Sequence, residues 1–461
     1  MRPTPLKKIA GYLGMESNSE EIIDEVVIDS RLSRPGTLFI PLPGTKTDGH
    51  KFVADVLNNG GCSLVSKNWL LANSWANKLI PVEDPLEALQ RLAQKYLQEF
   101  EIPVVAVTGS NGKTTTKDLI GEVLKARYRI HKTAGNYNNE IGLPLTVLGL
   151  SDADQILIVE MGMRGKGEIA SLAKIVQPDI AVITNIGTAH IELLKTQENI
   201  AHAKAELLEG TSKFGVAVLN GDDPWIRQIA SKGPKRVIFF GLNEGNDIWA
   251  KNLEMNKDNS TSFTIVHEDK EYQARLGLAG FHNVLNALAA VGVGIGLGLE
   301  MTEIVPQLAK VSISDMRMDI SEGKNGAIII DDTYNASPAS MKAAIHTAVT
   351  IGNKERRRLV AILGDMLEQG EYSQEEHQNL GKLAAENFDE LIFVGSFGNE
   401  FLKGVELTDF DPNKVRLFES ATELIPLVNE FVGDKDLVLL KASRGVALER
   451  VVAVLKEGCE N

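Results

Sequence analysis

The run Thr108-Gly109-Ser110-Asn111-Gly112-Lys113-Thr114-Thr115 sets two glycines, a lysine and several hydroxyls in the order that grips a phosphate chain. Glycines let backbone N–H groups close around an anion, and a helix opening at Lys113 adds its positive end. Lys113 can then reach the β- and γ-phosphates of a nucleoside triphosphate, and the Thr114 hydroxyl can hold Mg²⁺. The eight-residue pattern for such loops wants glycine where Val107 stands, so this is a shortened form, Gly-x-x-Gly-Lys-Thr. The bland alternative is an ordinary strand–helix turn. The β-branched run Val104 to Val107 before it, and Leu119, Ile120, Val123 and Leu124 at helical spacing after it, argue for the cradle.

Three more polar groups follow apolar runs of the same region. Glu160 closes Ile156-Leu157-Ile158-Val159, His190 follows Ile183 to Ala189, and Lys204 lies just beyond. A carboxylate beside a phosphate site is a Mg²⁺ ligand candidate, because Mg²⁺ prefers oxygen. A lysine beside a metal is electrostatically odd. Either Lys204 contacts phosphate oxygens, or CO₂ converts it to an anionic carbamate that could support a second Mg²⁺; spacing leaves both open. Downstream, Asn283 and Asn286 share one helix face, where amides could read an adenine edge or simply cap the helix. Asp331-Asp332-Thr333-Tyr334-Asn335 ends a strand with two acids, one of which could hold a ribose. Lys441-Ala442-Ser443-Arg444 follows Leu437 to Leu440, where its cations suit a substrate carboxylate. Arg356-Arg357-Arg358 reads most simply as a solvated turn.

These groups need a scaffold of α/β type. From about residue 100 to 310, continuous apolar strands (Val104–Val107, Ile156–Glu160, Ile180–Thr184, Val216–Asn220, Val237–Phe240) alternate with helical patterns, which predicts a parallel sheet covered on both faces. Ligands then gather at the carboxyl ends of its strands. A smaller doubly wound, Rossmann-like domain follows, with strands at Ala327–Asp331, Leu359–Leu363, Leu391–Val394 and Leu437–Leu440. Ahead of both, residues 1 to 84 mix short strands with turn clusters, and Asp84-Pro85 opens a helix as N-cap and first residue. The predicted domains are 1–84, a small mixed α/β unit; 85–313, the central P-loop-type ATPase domain; and 314–461, the Rossmann-like unit. The apolar run Ala287 to Leu299, with its four glycines, is too short to span a bilayer and predicts a tightly packed buried helix.

With 461 residues and a net charge of −14, the chain is a poor match for nonspecific binding to nucleic acid or anionic membrane. Its two cysteines, Cys62 and Cys459, lie far apart, which suits a reducing compartment. Met1 to Leu6 lacks the apolar core of a signal peptide, so a cytoplasmic location without membrane insertion is expected.

Taken together, these motifs resemble the Mur ligase family of peptidoglycan synthesis. Thr108 to Thr114 looks like its ATP loop, shortened in the same way, and Asn136-Tyr137-Asn138-Asn139-Glu140-Ile141-Gly142-x-Pro144 like its next signature. Glu160, His190 and Lys204 fall where the family places metal ligands and a carbamylated lysine. Arg317 matches its domain-boundary arginine, and Asp331 to Pro338 its third-domain entry. Asp29-Ser30-Arg31, Pro35-Gly36-x-Leu38-Phe39 and Asp48-Gly49-His50 resemble a uridine-binding first domain. Leu363-Gly364-Asp365-Met366-Leu367-Glu368 resembles the dipeptide-adding member, and no Asp-Asn-Pro-Arg motif for a diamino acid is present. Small departures occur at Pro41, at Gln369 and at Ser312 to Met316.

The resemblance implies an ATP-dependent amide ligase that joins D-alanyl-D-alanine to UDP-N-acetylmuramoyl-tripeptide through an acyl phosphate, with two Mg²⁺ sites, as a monomer. It assigns catalysis to Lys113, His190, Lys204 and Arg317. Nucleotide binding falls to Gly109, Ser110, Asn111, Gly112, Lys113, Thr114, Thr115, Asn283, Asn286, Arg317 and Asp332, and metal to Thr114, Glu160, His190 and Lys204. Substrate contacts fall to Ser30, Arg31, Asp48, Asn136, Asn138, Asn335, Lys441, Ser443 and Arg444. Closure about connections near residues 100 and 312 is expected, because an acyl phosphate must be kept from water. Two rival readings are an ATP-driven binding switch, which has no use for the first domain, and a folylpolyglutamate synthetase, in which pterin-binding loops should replace it.

Overall fold

A computed structural model of the chain describes residues 1–44, 47–70, 77–311 and 316–457. Besides a two-stranded pairing of Thr4–Pro5 with Ile22–Ile23, three larger sheets follow one another along it. The first is four-stranded and parallel, in the order Glu25–Val27, Thr37–Phe39, Cys62–Ser66 and Leu79–Val82. Burial raises its one described cysteine, Cys62, to about 11, which leaves an inert thiol. Cys459 lies outside the described residues.

The helix Pro85–Leu97 starts where the sequence marks it. Asp84 accepts from the backbone N–H groups of Leu86 and Glu87 at 2.7 and 3.0 Å, and Pro85 fills the first position, where no amide is needed. The buried face of this helix (Leu89, Leu92, Ala93, Tyr96) belongs to one continuous core that runs from Leu6 and Ile9 to Leu157 and Leu207. The Tyr96 hydroxyl donates to the Leu150 carbonyl at 2.7 Å, and Glu99 gathers Arg2, Lys8 and Tyr12. These contacts tie down the connection near residue 100, one of the two places where closure is expected. Residues 312–315 of the second connection lie outside the described residues.

The central sheet has nine strands. Val104–Thr108 lies inside it between Ile156–Glu160 and Ile180–Ile183, both parallel to it. The chain runs from this strand to the sheet edge at Ile130–Lys132, returns through Ile156–Glu160 and then crosses to Ile180–Ile183 on the other side, so the order reverses here and opens a crevice at the carboxyl end. The expected strands Val216–Asn220 and Arg236–Gly241 continue the sheet. It is not wholly parallel: Ile248–Met255, Thr261–His267 and Lys270–Leu276 add an edge meander in which Thr261–His267 is antiparallel to both neighbours. The last hairpin turns at Glu268 and Asp269, with φ of 49° and 58°. Two positive φ values in a row suit a primed turn, usually written Asn-Gly; with Glu-Asp there, composition carried no hairpin signal.

The helix Phe281–Gly296 covers one face of this sheet, as the apolar run predicts. Its glycines permit close approach: a Cβ at Gly292 would stand 2.7 Å from Val218 Cγ1. The third sheet runs in the order Asp319–Glu322, Ile328–Asp331, Asp436–Lys441, Arg358–Gly364, Glu390–Val394 and Val415–Phe418, with only the first strand antiparallel. Separate apolar clusters cover its two faces. The Arg356–Arg358 run is more than a solvated turn: Arg358 grips Asp436 at 2.9 and 2.6 Å, and Arg357 donates to the Gly326 carbonyl at 3.1 Å. Both staple the amino ends of strands, away from the ligand edge. Among the described residues no helix is long and apolar enough to cross a membrane.

Candidate functional site

At the carboxyl end of Val104–Thr108 the chain turns through Gly109 to Gly112 and enters the helix Lys113–Leu124. Gly112 has φ of 78°, and a Cβ there would meet Asn286 Oδ1 at 2.5 Å; a Cβ at Gly109 would collide with Thr184 Oγ1. Neither position admits a side chain. The Ser110 and Asn111 amides donate to the carbonyl and Oδ1 of Asn185 at 3.0 and 2.9 Å, so they tie the loop down and do not point at a ligand. The open donors are the first-turn amides of the following helix, which lack intrahelical acceptors. Lys113 Nζ folds back onto the Gly109 carbonyl at 2.9 Å, and burial lowers its pKa. Thr115 lines the same cavity.

Glu160 is 2% exposed and is held from two sides: Thr114 donates to Oε2 and Asn138 Nδ2 to Oε1, both at 2.8 Å. Its backbone N–H donates to Thr133 Oγ1 at 3.0 Å. The spacing that suggested a metal pair thus brings Thr114 and Glu160 together, and Asn138 from the next signature with them. Asn136 is exposed at the rim. His190 lines the cavity, and its Nδ1 stands 2.6 Å from Glu368 Oε2 of the C-terminal domain. Burial lowers the His190 pKa against the opposite pull of Glu368, and Lys113 and Lys204 lower it further.

Lys204, on the helix Gln197–Gly210, is 2% exposed and has neither an ion pair nor a hydrogen bond among the described residues. Burial, then Lys113, hold its pKa well below that of an ordinary lysine. That shift favours the neutral amine, the form that reacts as a nucleophile. It does not reach the cavity wall itself.

The opposite wall comes from later in the chain. Asn286 accepts from Thr116 at 3.2 Å and donates to Asn283, which donates to the Ala279 carbonyl at 2.7 Å. Both amides line the cavity but chiefly buttress the loop. The Arg317 guanidinium lies 4.0 Å over the Tyr334 ring, a cation–π stack that orients it along the cavity. Lys441 Nζ pairs with Asp332 at 2.7 Å and donates to the Asn335 carbonyl at 2.7 Å. The cation expected to wait for a substrate carboxylate already has one. His282, given no role by its sequence context, also lines the cavity, where burial lowers its pKa.

Several expected residues stay outside this cavity of about 1170 Å³. Ser443 accepts from the Leu367 N–H at 2.9 Å and is buried behind the wall. Arg444 meets Met316 Sδ at 3.0 Å and Glu449 at 3.6 Å. In the first domain, Asp29 binds Arg31 through the backbone N–H at 3.0 Å and the guanidinium at 2.6 Å, with Ser30 between them. Asp48 caps the turn Gly49–Phe52 and contacts His50 at 2.8 Å.

Matches to known proteins cover all three regions. Residues 22–97 match the model for "Mur ligase family, catalytic domain", 107–294 the "Mur ligase middle domain", and 316–444 the "Mur ligase, glutamate ligase domain". The chain is 37% identical over 450 residues to the UDP-N-acetylmuramoyl-tripeptide--D-alanyl-D-alanine ligase of Bacillus subtilis, covering 97% of this chain and 96% of that protein. A crystal structure of MurF from Acinetobacter baumannii superposes with a TM-score of 0.89 at 30% identity, covering 99% of each chain. The MurF ligase from Thermotoga maritima in complex with ADP gives a TM-score of 0.81 at 31% identity over 94% of this chain and 97% of that one. With relatives this similar over nearly its whole length, and a phosphate cradle at the heart of its central sheet, the chain belongs to the Mur ligase family.

Proposed function

We propose that the chain is an ATP-dependent ligase that adds D-alanyl-D-alanine to UDP-N-acetylmuramoyl-tripeptide. The observation that carries this reading is one cavity lined by both the phosphate loop and the C-terminal wall of Arg317, Asp332, Tyr334 and Lys441. ATP at the loop and a nucleophile from the C-terminal side can meet there. The tripeptide carboxylate attacks the γ-phosphorus, forming a P–O bond and releasing ADP. The dipeptide amine then attacks the acyl carbon, loses a proton, and inorganic phosphate leaves with the C–O bond electrons. Such transfer needs charge neutralisation and positioning more than covalent help. The first-turn amides supply hydrogen-bond donors and Lys113 and Arg317 supply cations for the phosphates, and residues 1–84 hold the nucleotide sugar through the Asp29–Arg31 surface.

The oxygen pair of Thr114 and Glu160 fits one Mg²⁺, which when bound neutralises phosphate charge. Among the described residues no three His, Cys, Asp or Glu gather as a ready metal cluster. A second cation fits only if Lys204 carries a carbamate, formed when its neutral amine attacks CO₂ and releases one proton; His190 is then the neighbouring ligand. The reading includes cytoplasmic action as a monomer and closure about the connection at 312.

ADP formation in the presence of UDP-N-acetylmuramoyl-tripeptide, with and without D-alanyl-D-alanine, tests it. The expected product gains the mass of one dipeptide minus water, and ADP release needs both substrates. Turnover indifferent to both would overturn the proposal. A scattering profile unchanged by ATP analogue and both substrates would remove the closure.

A further inference from the structure

Glu368 has no part in the reading above, yet the fold goes to some length to place it. It sits in the left-handed region, φ 63°, and so does His190, φ 64°, although neither is glycine. Such backbone costs roughly 1 kcal/mol or more per residue, so both conformations are imposed by their surroundings. The loop before Glu368 is held by several buried polar groups. His377, fully buried, accepts from the Met366 N–H at 2.9 Å and is hydrogen-bonded through Nδ1 to the Ser373 carbonyl at 2.6 Å. Ser443 accepts from the Leu367 N–H at 2.9 Å, and Asp365 accepts from the Ser396 N–H at 2.9 Å. Just after it, Gly370 has φ of 55°, and a Cβ there would press on Glu192 at 3.0 Å.

The result of this scaffolding is a 2.6 Å contact between a carboxylate of the C-terminal domain and Nδ1 of His190 in the central domain. As an ion pair it adds little stability, because the Glu368 side chain is 55% exposed. Its consequence is orientation. A carboxylate on one ring nitrogen fixes the tautomer and frees the other nitrogen as a ligand. We infer that Glu368 is a positioning residue for His190: it accepts a hydrogen bond from Nδ1–H and leaves Nε2 as the lone-pair donor toward a divalent cation at the phosphate end of the cavity. In the structure the 2.6 Å contact lies off the ring N–H axis, so the carboxylate and Nδ1 are held together but not in line. Arrival of the C-terminal domain thereby becomes a condition for a correctly presented ligand in the central one.

The inference rests on the reading of His190 as a metal ligand, and the test separates the two. The full-length chain with ¹⁵N-labelled histidine rings, free of nucleotide, should show His190 as the Nδ1–H tautomer, identified by its loss in H190A. Glu368→Ala should shift it to Nε2–H. The Mg²⁺ concentration for half-maximal ligation should rise about tenfold in Glu368→Ala, with the KM for ATP unchanged. Glu368→Gln, whose amide oxygen still accepts, should stay within a few-fold, and E368A/H190A should match H190A alone. If H190A leaves the Mg²⁺ dependence unmoved, the metal reading of His190 fails. If H190A moves it but Glu368→Ala changes neither tautomer nor Mg²⁺ dependence, or speeds the reaction, the positioning role is overturned while the metal reading survives.

Discussion

In the C-terminal domain Lys441, 2% exposed, ends a central strand with its ammonium on Asp332 and the Asn335 carbonyl. In the central domain Lys204 is buried to the same 2% and has no acceptor among the described residues. Equal burial leads to opposite chemistry. A buried ammonium with a carboxylate and a carbonyl acts as a structural cation that shapes the 332–335 turn. One without them has its pKa pushed well down, because desolvation, and then Lys113, penalise its charged form. The difference lies in the partner supplied by the fold and not in the depth of the residue.

The strongest way to break this comparison is to remove each lysine. Lys204→Met should lower ligation by on the order of 10²–10³. The same change should stabilise the fold at pH 7 by roughly 1 kcal/mol, the scale seen when a functional liability is removed. The sign follows from proton counting. The folded value lies well below the ordinary 10.5, so between the two the unfolded chain binds a proton that the native state does not. Native stability therefore rises with pH across that window, and the advantage of K204M should fade as pH approaches 10.5. Urea unfolding in CO₂-free buffer at pH 7 and pH 10 measures both points. Lys441→Met should do the reverse, destabilising by about 1–3 kcal/mol because Asp332, its side chain only 15% exposed, is left without its ion partner. Equal destabilisation by the two variants would erase the distinction.

Smaller effects sharpen it. Gly112→Ala forces a Cβ to 2.5 Å from Asn286 Oδ1 at φ 78°, so about 1–2 kcal/mol of backbone strain is expected. ADP binding, read by calorimetry, should weaken about tenfold, since 1.4 kcal/mol is a factor of ten. Arg444→Ala is the weakest: half-exposed and outside the cavity, it should change unfolding free energy by less than about 0.5 kcal/mol.

Much of this was legible in the chain. The loop was readable because its glycines are required by φ and by close approach, and those needs leave few substitutes. Glu160 was readable because it ends an apolar strand beside that loop. The Glu268-Asp269 hairpin was not, since Glu rarely takes positive φ and no glycine stands in the turn to signal it. Nor could position along a strand show that Lys441 already had Asp332, or that Ser443 faces the back of the wall; both depend on which side of the turn a neighbour lies. The link between Glu368 and His190 joins residues 178 positions apart in different domains, a separation over which local pattern carries no information.

The single apolar cluster shared by the first sheet, the Pro85–Leu97 helix and one face of the central sheet has a calorimetric consequence. Cooperative units follow continuous cores, not sequence segments. Residues 1–84 should melt together with the central domain, whereas the C-terminal sheet, with its own clusters on both faces, is free to melt separately. Two endotherms, not three, should mark this chain, and ADP should move only the one that contains the phosphate loop.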